Sequence, residues 1–587
     1  MRLLASTVVS AVVVVSVVVA HDAPYVRTEG GVVSGLLYRS TRSKPFYAYH
    51  GIPFAKPPLK QLRFKDPVPA AAWEGVKDGS KMPKPCLQVP FSAATVGKKV
   101  SPRMLDGSED CLYLNVFTPV DKGPKADLPV MVWIHGGGWI SGGAQEFLPY
   151  VLLNHEVVLV VLQYRLGVLG FLSTEDSVIP GNFGLKDQTL ALQWVQRNIH
   201  HFYGDKTKVT IFGESAGGAS VHFQLLTPKS EGLFSRAIMQ SGSALEPWAT
   251  GIKIGEVSKN IGETMGCPRN LDSQALLHCL QKVDGRKLVA TMQDYLQWSI
   301  FPVVFAPRVD GDFIPEDPAK MILEGRYKEV DLIAGVTREE GACMSQVIYA
   351  VKTLKDSLEV NFTTIGPISL QLEGSVAQED ILKVTKLLYH HYLGETINFD
   401  EAHSEALTKL YSDVHFMVGH DLTSHYHARN LNTAHNTFRY EFRYRGEFSS
   451  GDFFKTRVGK HWVSHEDELL YLFQGGPLFS PPHRRQSFNL PADFRMRDIM
   501  STLWTNFAAT GNPTPDDSLG FTWEPSTEDN LQYLALILRP TMEADQRQEV
   551  RKFFASLPTK DNVILSGDRV HDALQQEDQL RKTQDEL

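Results

Sequence analysis

The stretch from Ile211 to Ser220, IFGESAGGAS, places Ser215 between two glycines in the pattern G-x-S-x-G. A serine hydroxyl attacks a carbonyl carbon only when a base takes its proton and hydrogen-bond donors hold the oxyanion that forms. A plain glycine turn would give the same letters, so the meaning of the pattern rests on what surrounds it. Upstream, Gly136, Gly137 and Gly138 follow His135 in HGGGW. Three residues without Cβ atoms let backbone N–H groups approach a developing oxyanion closely. The N–H groups of Gly137 and Gly138, joined by that of Ala216 just after the serine, would make a three-donor hole. Losing one such donor typically costs about 3 kcal/mol of transition-state stabilisation.

These loops need rigid elements to face one another. LPVMVWI (Leu128 to Ile134) and EVVLVVLQYR (Glu156 to Arg165) are continuous apolar runs, as expected of strands buried on both faces. KVTIF (Lys208 to Phe212) and DLIAGV (Asp331 to Val336) read as further strands, and Lys186 to Ile199 carries a helical apolar stripe. Strands alternating with helices predict an α/β fold, with a large, mostly parallel central sheet flanked by helices. Ser215 then sits between the strand ending at Phe212 and a helix beginning near Ala219, the strand-turn-helix setting of a nucleophile elbow.

Composition and termini bound the function class. A net charge of -8 leaves no basic stripe for nucleic acid. Residues 1–20 read as a signal peptide, with one basic residue, an apolar run and small residues at its end. Residues 561–587 read as a charged tail, whose last four, Gln584 to Leu587 (QDEL), resemble an endoplasmic-reticulum retention address. That places the protein in the secretory pathway and, through a retention receptor, in the reticulum lumen in preference to the outside. Five cysteines suit an oxidising compartment. Sequential pairing would join Cys86 to Cys111 and Cys267 to Cys279 and leave Cys343 over, although spacing alone allows other pairings. No C-x-x-C or H-E-x-x-H motif suggests a metal. Asn361, in Asn361-Phe362-Thr363, is the glycosylation candidate.

Several longer motifs in order, YHGIPFAKPP, SEDCLYLNVFTP, VWIHGGGW, QYRLGVLGFLS, GNFGLKDQTLALQWVQRNI, GESAGGAS, AIMQSGSALEPWA and LWTNFAATGNPTP, resemble the type-B carboxylesterases, the cholinesterase-like branch of the α/β-hydrolases. The resemblance implies one α/β-hydrolase domain over residues 21–560 that hydrolyses small carboxylic esters to acid and alcohol without a cofactor. It also implies a triad of Ser215, Glu340 from TREEG, with Glu339 as the neighbouring candidate, and His465 from VSHEDE, to the exclusion of His461. Trp462 stands where the family usually has glycine, which leaves the local backbone angle open. Trp248 matches a family position lining the acyl pocket, and Glu214 lies beside the nucleophile where juvenile hormone esterases usually have glutamine. The loop from Leu87 to Asp110 has Phe91 as its only aromatic residue, which argues against choline esters. A broad esterase of apolar esters is the reading that remains. An interfacial lipase is the close alternative, and a neuroligin-like adhesion protein the distant one, because such a chain would lack Ser215 or His465 and carry a membrane span.

Overall fold

The computed structural model describes residues 24–120, 122–123, 126–431, 434–474, 476 and 488–566. The expected signal peptide and the QDEL end lie outside the described residues. Of the expected tail, residues 561–566 belong to a helix, Lys560–Ser566.

Eleven strands form one sheet. Numbered along the chain, they are β1 (Leu36–Arg39), β2 (Pro45–Pro53), β3 (Tyr113–Pro119), β4 (Leu128–Ile134), β5 (Val158–Leu162), β6 (Gly204–Glu214), β7 (Arg236–Gln240), β8 (Asp331–Thr337), β9 (Thr437–Phe442), β10 (Tyr533–Leu536) and β11 (Thr541–Glu543). Their spatial order is β11-β10-β9-β8-β7-β6-β4-β5-β3-β2-β1. From β5 across to β10 every pairing is parallel, and the strands at both margins pair antiparallel. The arrangement is the α/β-hydrolase sheet that the motifs implied.

Burial on both faces explains the continuous apolar runs. Val130, Val132 and Ile134 of β4 enter one core cluster, while Met131 and Trp133 enter the other. Each fully buried side chain of this kind contributes about 1.5–3 kcal/mol, so a central strand has no use for polar alternation. The second run ends sooner than its apolar letters suggest. β5 stops at Leu162; the Gln163 N–H still reaches Tyr113 O of β3 (3.1 Å), but the Arg165 N–H turns to Asp187 Oδ2 (3.0 Å), while Gln163 Nε2 donates to Cys111 O (2.8 Å) and Tyr164 Oη to His135 O (2.7 Å). Arg165 turns to Asp187 in a bidentate pair, with Nε to Oδ2 at 2.8 Å and a terminal nitrogen to Oδ1 at 2.7 Å. Asp187 lies on helix α1 (Phe183–Asn198), which starts three residues before the expected stripe.

Two further elements reach the site. Helix α2 (Ala216–Leu226) follows β6 after a single residue, Ser215. Helices α3 (Ser404–Ser412) and α4 (Val418–His427) form one long rod, joined by a π-helical turn at Asp413–Met417. Asp421 anchors α4 in the core. Its carboxylate binds Arg547 (2.7 Å), Arg551 (2.8 Å) and Arg439 of β9. Burial alone would raise the Asp421 pKa, but Arg547 and Arg439 outweigh it and hold the carboxyl well below the usual range. Disulfides join Cys86 to Cys111 and Cys267 to Cys279, and Cys343 is a free thiol whose pKa burial pushes up to about 12. Among the described residues no helix is long and apolar enough to cross a membrane, and no cluster of His, Cys, Asp and Glu suits a metal ion.

Candidate active site

The elbow is a steric solution. Ser215 has φ +58° and ψ −127°, a region that costs a residue with a side chain about 1–3 kcal/mol. Backbone bonds on both sides hold it there, from Ser215 N–H to Gln240 O and from Ala219 N–H to Ser215 O, each 2.9 Å. The turn is so tight that a Cβ at Gly213 would lie 2.5 Å from Ile134 O, and one at Gly217 would collide with the same oxygen. These two glycines are therefore fixed by close approach to β4, while the strain itself falls on the serine.

The second glycine loop packs directly against the elbow. A Cβ on Gly136 would lie 3.1 Å from Ser215 Cβ. Gly137 (φ +99°) and Gly138 (φ +60°) hold left-handed conformations, and their N–H groups have no backbone acceptor among the described residues. Ala216 is the first residue of α2, so its N–H has no intrahelical acceptor either. Unpaired donors on two loops at one serine can receive an anionic oxygen.

The two other expected triad members meet. His465 Nδ1 and Glu340 Oε2 are 2.6 Å apart in the interior. Glu340 follows the end of β8, and its other oxygen accepts from Thr337 N–H (2.7 Å) and Ser241 Oγ (2.5 Å). With both oxygens bonded, the carboxylate has little freedom to rotate away from the imidazole. Glu339 turns elsewhere, and its Oε2 accepts from Val463 N–H at 2.7 Å, tying the end of β8 to the loop that carries His465. His461 is exposed and pairs with Glu405 at 3.1 Å. Trp462 needs no left-handed angle; it is buried, its indole donates to Glu405 (2.9 Å), and Gly459 at φ +68° makes the room its ring occupies.

The remaining imidazole nitrogen, Nε2, lies 3.0 Å from Glu214 Oε1 without the alignment of a hydrogen bond. Ser215 Oγ makes no hydrogen bond among the described residues. Burial lowers the pKa of His465, but the Glu214 and Glu340 carboxylates outweigh it and hold the imidazole well above its usual value. Burial pushes Glu214 up to about 7, opposed by His465, and Glu468 up to about 7, reinforced by Glu340. Trp248 is placed one ring away from the histidine: its centroid is 5.9 Å from Phe416, whose ring lies 4.6 Å from His465. Ser241, Glu468 and Phe416 were not singled out in the sequence. Ser241 belongs to a quoted motif, AIMQSGSALEPWA, and Glu468 ends VSHEDE, whereas Phe416 reaches the site through a helical irregularity with no local signature. A surface cleft of about 470 Å³ between Arg338, Lys409, Glu441 and Arg547 does not include Ser215, Glu340 or His465.

The electrostatics give a sign. Removing one carboxylate from the imidazolium lowers its pKa. Glu214→Gln is expected to move the acid limb of the pH dependence of kcat/KM for a 4-nitrophenyl ester to lower pH. An unmoved limb would show that Glu214 does not act on His465.

The carboxylesterase family model matches residues 22–554. Juvenile hormone esterase of Tribolium castaneum is 36% identical over 85% of each chain. Carboxylesterase 1E of Mus musculus is 36% identical over 80% of this chain and 83% of its own, and pyrethroid hydrolase Ces2a of Mus musculus is 32% identical over 93% and 94%. With nearly the whole described chain matched, and with the elbow, the facing glycine loop and the buried Glu340–His465 pair on one sheet, the protein belongs to the carboxylesterase family.

Proposed function

We propose that Ser215, Glu340 and His465 act as a catalytic triad in the hydrolysis of apolar carboxylic esters. The observation that carries this reading is the 2.6 Å bond from His465 to Glu340 beside a serine held in a strained elbow. The carboxylate fixes the Nδ1–H tautomer, so Nε2 is the basic nitrogen. As an ester enters, Nε2 exchanges Glu214 for Ser215 Oγ and takes its proton while Oγ adds to the carbonyl carbon. The oxyanion is received by the N–H groups of Gly137, Gly138 and Ala216. His465 then protonates the departing alcohol, leaving an acyl-Ser215. Water, deprotonated by the same nitrogen, releases the acid and restores the serine. No cofactor enters these steps.

Apolar esters fit the surroundings: Trp139 and Trp248 stand in ring contact one ring removed from His465. The relatives' names do not converge on one substrate, and Glu214 stands where juvenile hormone esterases usually have glutamine, which favours a broad esterase. Hydrolysis of a short 4-nitrophenyl ester is expected to be abolished by a serine-directed organophosphate and to fall by roughly 10⁴-fold or more in Ser215→Ala. Full activity in the alanine variant would refute the triad.

The reading extends to compartment. The apolar leader, the two disulfides and an exposed Asn361 between two helices support passage through the secretory route and a glycan at that asparagine. The QDEL end supports retention by a receptor in the reticulum. Deleting Gln584 to Leu587 should raise the secreted fraction, and unchanged secretion would refute retention.

A further inference from the structure

The rod from Ser404 to His427 departs from α-helical geometry at one place, Asp413–Met417, where the Val418 N–H reaches back five residues to Asp413 O. A π turn accommodates an extra residue at the expense of regular helix geometry, and such turns occur frequently at functional sites. This one is wholly buried and fastened on several sides. Asp413 accepts from Tyr392 Oη (2.6 Å), His415 Nε2 meets Ser369 O (2.9 Å), and the His415 carbonyl accepts from the Trp248 indole (2.8 Å). The Asp421 ion pairs hold the helix that follows.

Two contacts connect this rod to the two ends of the Glu340–His465 bond. Ser412 Oγ, one residue before the turn, accepts the N–H of Gly341, the residue after Glu340, at 2.9 Å. Phe416, within the turn, lays its ring on the His465 imidazole with centroids 4.6 Å apart and a 40° tilt. One element therefore references both the carboxylate and the ring it binds. The hydrogen bond at Nδ1 fixes one atom of the imidazole but leaves the ring free to swing about that atom. A flat wall against its face restricts that swing, and the swing decides whether Nε2 points at Glu214 or at Ser215.

We infer that Phe416 is a positioning residue for His465, held in place by the π turn, and that its flat ring limits the imidazole to orientations from which Nε2 can serve Ser215. This rests on the triad reading above. The residue touches no reacting atom and acts through the histidine alone. Its removal therefore lowers turnover for every acyl chain by the same factor and leaves ground-state binding largely unchanged.

The test compares wild type with Phe416→Leu and Phe416→Met, which keep an apolar side chain but remove the flat face, and Phe416→Tyr, which keeps the face. Each is assayed on 4-nitrophenyl acetate and 4-nitrophenyl hexanoate, with kcat expressed per active site titrated by a serine-directed organophosphate, so that misfolded protein does not count. Leu and Met are expected to lower kcat roughly tenfold or more on both esters with KM within about twofold, since small misplacements of a catalytic group are costly. Tyr is expected to restore kcat to within about threefold of wild type. Unchanged kcat in Leu and Met, a loss confined to one acyl chain, or no rescue by Tyr would overturn the inference. Failure of the triad reading itself would show differently, as a wild-type enzyme with no titratable serine.

Discussion

Everything at this site depends on one buried hydrogen bond, from His465 Nδ1 to Glu340. A carboxylate and an imidazole taken out of water are favourable partners only if their remaining hydrogen-bonding positions are also met. The fold meets those of Glu340 with Thr337 N–H and Ser241 Oγ, and sets the Glu214 carboxylate 3.0 Å from the far nitrogen of the ring without a hydrogen bond. Ser241 comes from the loop after β7 and Glu340 from the loop after β8. The histidine arrives from a loop tied to the end of β8 through Glu339. The parallel strands thus deliver the groups at their carboxyl ends, where open α/β sheets bind their ligands.

The serine is governed by a second constraint, which is steric. At Gly213 and Gly217 the chain passes so close to β4 that no side chain fits, and at Gly242 an added Cβ would collide with Ser215 O. The strained angles of Ser215 persist because β7, through Gln240 O, and helix α2, through the Ala219 N–H, hold its backbone from both sides. The cost is local, and it sets Ser215 on a rigid turn beside a glycine loop in which the Gly137 and Gly138 N–H groups have no backbone acceptor among the described residues.

Much of this was legible in the sequence because it depends on local chemistry. Glycines at close approaches, β4 as a doubly buried run and the order of the motifs all leave marks on neighbouring residues. The choice of Glu340 over Glu339 came from the family resemblance and not from local chemistry: the two stand side by side before one glycine, and their paths in three dimensions take one to the imidazole and the other to Val463 N–H. The end of β5 was hidden for a like reason, since the Arg165 N–H leaves the ladder for Asp187 on another element. Phe416 left no mark at all. A π turn follows from what surrounds a helix, and nothing in DVHFM announces it.

In the proposed mechanism the ester's acyl group passes through Ser215, and that step can be caught covalently. The enzyme is acid-quenched during steady-state turnover of a 4-nitrophenyl ester and its peptides are mapped by mass. The acyl mass is expected on the peptide containing Ser215 and on no other. An acyl group carried by a different residue would contradict the mechanism.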